Sequence, residues 1–126
     1  MPIVTVQPVV GDAGGGPSPQ DVQALADRLG ELFSGQPGST WIKVNCLSRS
    51  HYAEDRSPLP AAVRPVFVEV LKRSLPERQR LALEADRVAQ VVAEVLGRTK
   101  ENIHVLYLPP GEGRIAFGGR LLGADD

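Results

Sequence analysis

The 126-residue chain is one unit written twice, and no other feature constrains its fold as much. The first copy opens with a β-branched run, IVTVQ at 3–7, followed by the loop GDAGGGP at 11–17. A helical stretch follows, then the turn SGQPGS at 34–39 and the alternating run WIKVNCLS at 41–48. The second copy begins roughly 60 residues further on. RPVFVEVLK at 64–72 is β-rich, a second helical stretch follows, GRTKEN at 97–102 is the turn, and IHVLYL at 103–108 is the closing strand. In each copy a helix joins two strands. A crossover of that length cannot be a hairpin, so the two strands of each unit are expected to run parallel.

The helices carry their own signatures. Val22, Leu25, Ala26, Leu29, Leu32 and Phe33 recur at spacings of three and four, as one face of a helix does. Ser18 caps that helix, Pro19 takes its first position and Asp21 follows three after the serine. Leu81, Ala85, Val88, Val91, Val92, Val95 and Leu96 mark the second helix, with Ser74 as its expected cap. The tail GEGRIAFGGRLL reads as a hairpin or small strand. The expectation is a single α+β domain over 1–126: unit one over about 1–48, a linker over about 49–63 and unit two over about 64–122. Its sheet is four-stranded and mixed, with both helices on one face. The other face carries Lys43, Asn45 and Trp41 together with valines, and needs a cover, so the chain is expected to oligomerise.

Composition narrows the function. Net charge is −1 and basic residues form no long run, which argues against a nucleic-acid partner. No apolar stretch is long enough to span a membrane, and the start lacks the basic and apolar regions of a signal peptide. A lone cysteine, Cys46, fits a reducing cytoplasm and is expected as buried filler in an apolar alternation. His51 and His104 belong to no Cys/His/Asp cluster, so no metal is expected. The glycine-rich loop lacks the lysine and spacing of a phosphate-binding loop. No cofactor is implied. The linker residues His51, Tyr52 and Arg56 are read as solvated.

Pro2 raises a chemical question. Inside a chain its nitrogen is an amide without proton chemistry; with Met1 removed it becomes a secondary amine. An α-amino group titrates near ~7.7–8.0, and burial pushes it lower.

A doubled βαβ unit opening on proline, with VFVEVLKRSLPERQ, IHVLYL and IAFGGRLL in its second half, resembles the tautomerase superfamily. That family includes 4-oxalocrotonate tautomerase, 5-carboxymethyl-2-hydroxymuconate isomerase, malonate semialdehyde decarboxylase, cis-3-chloroacrylic acid dehalogenase and macrophage migration inhibitory factor. The resemblance covers nearly the whole chain and implies a homotrimer acting on a small carboxylate or keto acid. Pro2 would be the general base of a tautomerase or isomerase, or the general acid of a hydratase, dehalogenase or decarboxylase. A non-catalytic trimeric binding protein is the third possibility. Arg73 matches the family's carboxylate-binding arginine after a unit's first strand, while the first unit has none there. A second arginine found in the decarboxylase and dehalogenase branches is replaced by Leu75 and Pro76. Lys72 is adjacent to Arg73 and should point to the opposite side. Lys43 and His104 stand where the tautomerase has an arginine in mid-strand. Phe117 matches the aromatic near the proline, Ile115 replaces another aromatic, and Tyr107 is a candidate to approach the amine. The acidic residue of the decarboxylase branch is missing, since Gly38, Ser39 and Thr40 occupy its stretch.

Overall fold

The computed structural model describes residues 2–60 and 64–124; Met1 and the last linker residues, 61–63, lie outside them. Strand β1 (Ile3–Val10) leads into helix α1 (Pro19–Leu32) and strand β2 (Trp41–Val44), which pairs with β1 in parallel. A two-residue strand, β3 (Leu47–Ser48), pairs with the far end of β1. The second unit repeats the design: β4 (Val66–Leu71), α2 (Arg78–Leu96) and β5 (Ile103–Tyr107), with β4 and β5 parallel. The units join through antiparallel β1 and β4, giving the order β2-β1-β4-β5. A closing hairpin, β6 (Ala116–Phe117) and β7 (Arg120–Leu121), stands apart from this sheet. Its two-residue turn, Gly118–Gly119, has positive φ at both positions (56° and 85°), the conformation that favours glycine and matches the twist of paired strands.

Strand alternation decides which face is the core. Val4 and Val6 of β1 and Val66, Val68 and Val70 of β4 are fully buried beneath the helices, against Leu25, Leu29, Val88 and Val92. Each such side chain contributes about 1.5–3 kcal/mol of burial. Arg28 of α1 meets Glu94 of α2 at 2.6 Å across the outer surface of the helix layer. The opposite sheet face bears Ile3, Thr5 and Gln7; Trp41 and Lys43; Phe67 and Glu69; His104 and Leu106, with no helix over it among the described residues. Trp41 (44% exposed) and Leu106 (57% exposed) are apolar side chains left open there.

Three local expectations need correction. The cap of α2 is Glu77, whose carboxylate accepts from the backbone N–H groups of Gln79 and Arg80, so Ser74 and Pro76 both lie before the helix. Proline disfavours helical backbone in the residue before it, which delays the start. β1 runs to Val10 rather than ending near Gln7. Cys46 is exposed rather than buried. The backbone N–H of Asn45 donates to Val6, but the next donor in the parallel alternation is Pro8, which has no N–H. The ladder lapses at Asn45–Cys46 and resumes at Leu47 opposite Val9, so Cys46 falls in the gap.

Candidate functional site

Pro2 enters β1 at one end of the sheet and is buried. Its carbonyl accepts the backbone N–H of Trp41 at 3.0 Å. The pairings Ile3↔Trp41 and Ile3↔Leu71 fix its surroundings. Carried back one residue, these registers set Thr40 beside Pro2 on one flank and Lys72 on the other. Thr40 Oγ1 is buried and finds no hydrogen-bond partner among the described residues.

Arg73 follows Lys72 at the same end. Its guanidinium lies 3.2 Å from Glu112 Oε1, with both side chains about half exposed. The segment after β5 is pinned along this end of β4: Leu108 donates its N–H to Val70, Gly111 to Lys72 and Glu112 to Arg73. Gly111 allows that close passage, since a Cβ there would lie 3.2 Å from Ile115 Cγ2 and 3.5 Å from Leu71 Cδ1. Ile115 is thereby placed near Leu71, the partner of Ile3. The hairpin then delivers Phe117, whose ring meets Trp41 edge-on at 5.6 Å between centroids. Pro2, Arg73, Ile115 and Phe117 therefore share one end of the molecule, brought there by three separate segments.

Lys72 turns to the opposite side from Leu71, as its adjacency to Arg73 demanded. Its ammonium pairs with Glu84 of α2 at 2.6 Å and stands 5.1 Å from the centroid of the Phe33 ring. Tyr107 also faces the helix layer, and its hydroxyl donates to the other oxygen of Glu84 at 2.7 Å. Burial first, and then the hydrogen bond to Glu84, raises the Tyr107 phenol well above its ordinary value, which keeps it a neutral donor. A groove of about 470 Å³ opens over this cluster, lined by Phe33, Lys72, Arg80, Leu83, Glu84 and Arg87 among others.

Two nominated residues lie elsewhere within the chain. Lys43 pairs with Thr5 on the open sheet face, some ~10 Å along the strand from Pro2 at ~3.4 Å per residue. His104 pairs with Phe67, whose other neighbour is Gln7, placing it roughly 17 Å along β1 from Pro2. Its ring stacks on Phe67 at 5.6 Å, and Tyr52 of the linker meets Phe67 at 5.8 Å. These rings border a concavity of about 360 Å³ lined by Thr5, Gln7, Asn45, Phe67, Glu69, His104 and Leu106 among others. Thus Lys43 and His104 belong to the open face, not to the Pro2 end of their own chain.

The sequence did not nominate Glu84, Glu112 or Phe33. Glu84 reads as an ordinary exposed position of an amphipathic helix, and nothing local links it to Lys72 and Tyr107. Glu112 sits in a glycine-rich tail whose path depends on its backbone bonds to β4, which no local pattern announces. Phe33 was visible in the α1 stripe, but as a core residue.

No protein-family model and no curated protein matches the chain. Solved structures do. The chain is similar over 99% of its length to macrophage migration inhibitory factor from Oncomelania hupensis, covering 84% of that chain at 19% identity with a TM-score of 0.70. It matches Pt0534, a protein inactivated by 2-oxo-3-pentynoate, over 98% of this chain and 97% of that one, at 16% identity and a TM-score of 0.73. A fused 4-OT wild-type symmetric trimer aligns over 97% and 98% of the two chains at 13% identity, with a TM-score of 0.73. These likenesses establish the fold: it is the doubled βαβ fold of migration inhibitory factors and fused 4-OT proteins.

Proposed function

We propose that the chain is a cofactor-independent tautomerase or isomerase of the tautomerase superfamily, acting on a small α-keto or enol carboxylate. The carrying observation is the convergence, at one sheet end, of buried Pro2, the Arg73 guanidinium and the aromatic edge of Phe117 and Trp41. With Met1 removed, Pro2 presents a secondary amine in surroundings that disfavour its charged form. The neutral amine takes a proton from the enol hydroxyl or the carbon next to the carbonyl and returns it to the other atom. The proton is conserved and no electron leaves the substrate, so the reaction calls for no redox partner. Arg73 would donate hydrogen bonds to the substrate carboxylate, which enters beside Glu112. Phe117 and Trp41 would shield the amine from water on the open-face side.

The same reading gives the open face to two further copies of the chain. Trp41 and Leu106 are exposed there, and one aligned fused 4-OT structure is a symmetric trimer. Lys43 and His104 would then act, if at all, across a subunit boundary rather than on their own Pro2. The units keep the bounds set out above, about 1–48 and 64–122, as one domain.

The test is ketonisation of phenylenolpyruvate, or isomerisation of 2-hydroxymuconate, by the protein and by Pro2→Ala. The reading expects activity that collapses in the variant; equal rates in the two would refute the role of Pro2.

A further inference from the structure

The proton transfer above leaves one cluster at this end of the sheet unused. Lys72, Glu84 and Tyr107 come from the end of β4, the second turn of α2 and the end of β5. They form a closed network: one Glu84 oxygen takes the Lys72 ammonium at 2.6 Å, and the other takes the Tyr107 hydroxyl at 2.7 Å. The charged pair is largely enclosed, with side chains only 19% and 15% exposed. The exposed Arg28–Glu94 pair is as short; what sets Lys72–Glu84 apart is its enclosure and the second bond that Glu84 takes from Tyr107.

We propose that Lys72 and Glu84, with Tyr107 fixing the carboxylate, are positioning residues that set the charge balance at the Pro2 amine; the inference rests on Pro2 being that amine. Lys72 is the cross-strand neighbour of Pro2 when the Ile3↔Leu71 register is carried back, and such neighbours stand ~4.5–5.5 Å apart at Cβ. By strand alternation both residues face the helix layer, where Val4 and Val70 also point. From that Cβ the Lys72 ammonium reaches to Glu84 and the Phe33 ring; unpaired, it would oppose protonation of the amine, and an unpaired Glu84 carboxylate would favour it. Paired, the two nearly cancel, leaving the amine to its buried surroundings. The phenol pins Glu84 without adding charge.

Other charged groups at this end come from three segments, among them Arg114 and Arg120 of the closing tail, where Arg120 pairs with Phe117. Arg80 and Arg87 line the groove from α2, and Arg73 and Glu112 pair with each other on the other side of the β4 end. From α1 and β2 come Phe33 and Thr40, neither of which titrates. On the helix side of this end, Lys72 and Glu84 form the enclosed pair whose separate removal should move the amine in opposite directions.

The experiment titrates Pro2 directly, by the nitrogen chemical shift of protein labelled with ¹⁵N-proline, in the parent and in three variants whose folding is verified by thermal unfolding. In Lys72→Met a like charge is lost and Glu84 is left unpaired, so the amine should titrate higher, by about half a unit or more. In Glu84→Gln the ammonium is left unpaired, and the amine should titrate lower by a similar amount. Lys72→Arg keeps the charge and should return the parent value even if stability falls. A titrating Pro2 whose midpoint is the same in all four proteins overturns this proposal while leaving the base reading intact. A Pro2 nitrogen that does not titrate in the parent overturns both.

Discussion

Arg73 is already engaged: its guanidinium faces Glu112 at 3.2 Å, half in solvent. On the proposed function, a substrate carboxylate entering there would gain a charge-assisted hydrogen bond, worth about 1.5–3 kcal/mol. Arg73→Ala should therefore lower kcat/KM roughly tenfold to hundredfold. The loss should fall mostly in KM if the arginine holds ground state and transition state alike. Steady-state kinetics on phenylenolpyruvate check this, and an unchanged kcat/KM would remove Arg73 from the site. Pro65 opens the second unit as Pro2 opens the first, and like Pro2 it is buried with its carbonyl accepting a backbone N–H, here that of Val9 at 2.9 Å. Its nitrogen is an internal amide, so Pro65→Ala should cost stability and leave kcat near the parent value in folded protein. The sequence nominated Pro2 from its place at the start of the chain, and Arg73 and Phe117 only through the family resemblance. Glu84 was not legible, because its meaning lies in a meeting of three elements that no local spacing encodes. The same holds for the separation of His104 from Pro2. The sequence says that His104 lies mid-strand; only the antiparallel β1–β4 register says toward which end.

Element boundaries depend on smaller forces. The two helices have the same architecture but different caps. Ser18 and Asp21 form a reciprocal capping box at α1, which the sequence pattern announced. At α2 a similar SLPE pattern misleads, because the chain stays extended through Pro76 and Glu77 supplies the cap. Glu77→Ala should destabilise the protein by about 0.5–2 kcal/mol, while Ser74→Ala should cost almost nothing. Urea unfolding midpoints separate them, and the reverse order would contradict the cap assignment. The loop after β1 carries a pH signature. Asp12 accepts first from the Ser48 hydroxyl and then from the backbone N–H of Ser50, and these bonds hold its carboxyl below the ordinary 3.8. A lowered folded value means that the contact helps stability above the ordinary value and loses that contribution as pH falls through the lowered one. Asp12→Asn should flatten the acid limb of a stability–pH curve; an identical limb in both proteins would show that the tie between this loop and β3 is idle.

At the scale of the molecule, one sheet face is roofed by helices, while the other, among the described residues, is met only at its margins by Tyr52 and Phe117. A half-covered sheet bearing Trp41 and Leu106 in the open is the physical case for assembly. Sedimentation should find a trimer of the 13.5 kDa chain. Leu106→Lys, at a position 57% exposed in the single chain, should shift it toward monomer without loss of helical circular dichroism. A clean monomer in the parent protein would remove the cover proposed for this face. The doubled pattern made this architecture legible, since the crossover lengths required parallel pairs within each unit. The antiparallel joint between units, by contrast, depends on the linker's path, which no periodicity describes.

The account stands or falls on a nitrogen atom, and one comparison isolates it. Kinetics on phenylenolpyruvate are measured for protein whose intact mass shows Met1 removed, and for the same protein carrying an uncleaved N-terminal extension. Every side chain is retained in the second, and the Pro2 amine has become an amide that carries the extension. The account predicts that the extension lowers kcat/KM by about 10²–10⁴, the span of a lost general base. Equal activity in the two proteins would contradict it.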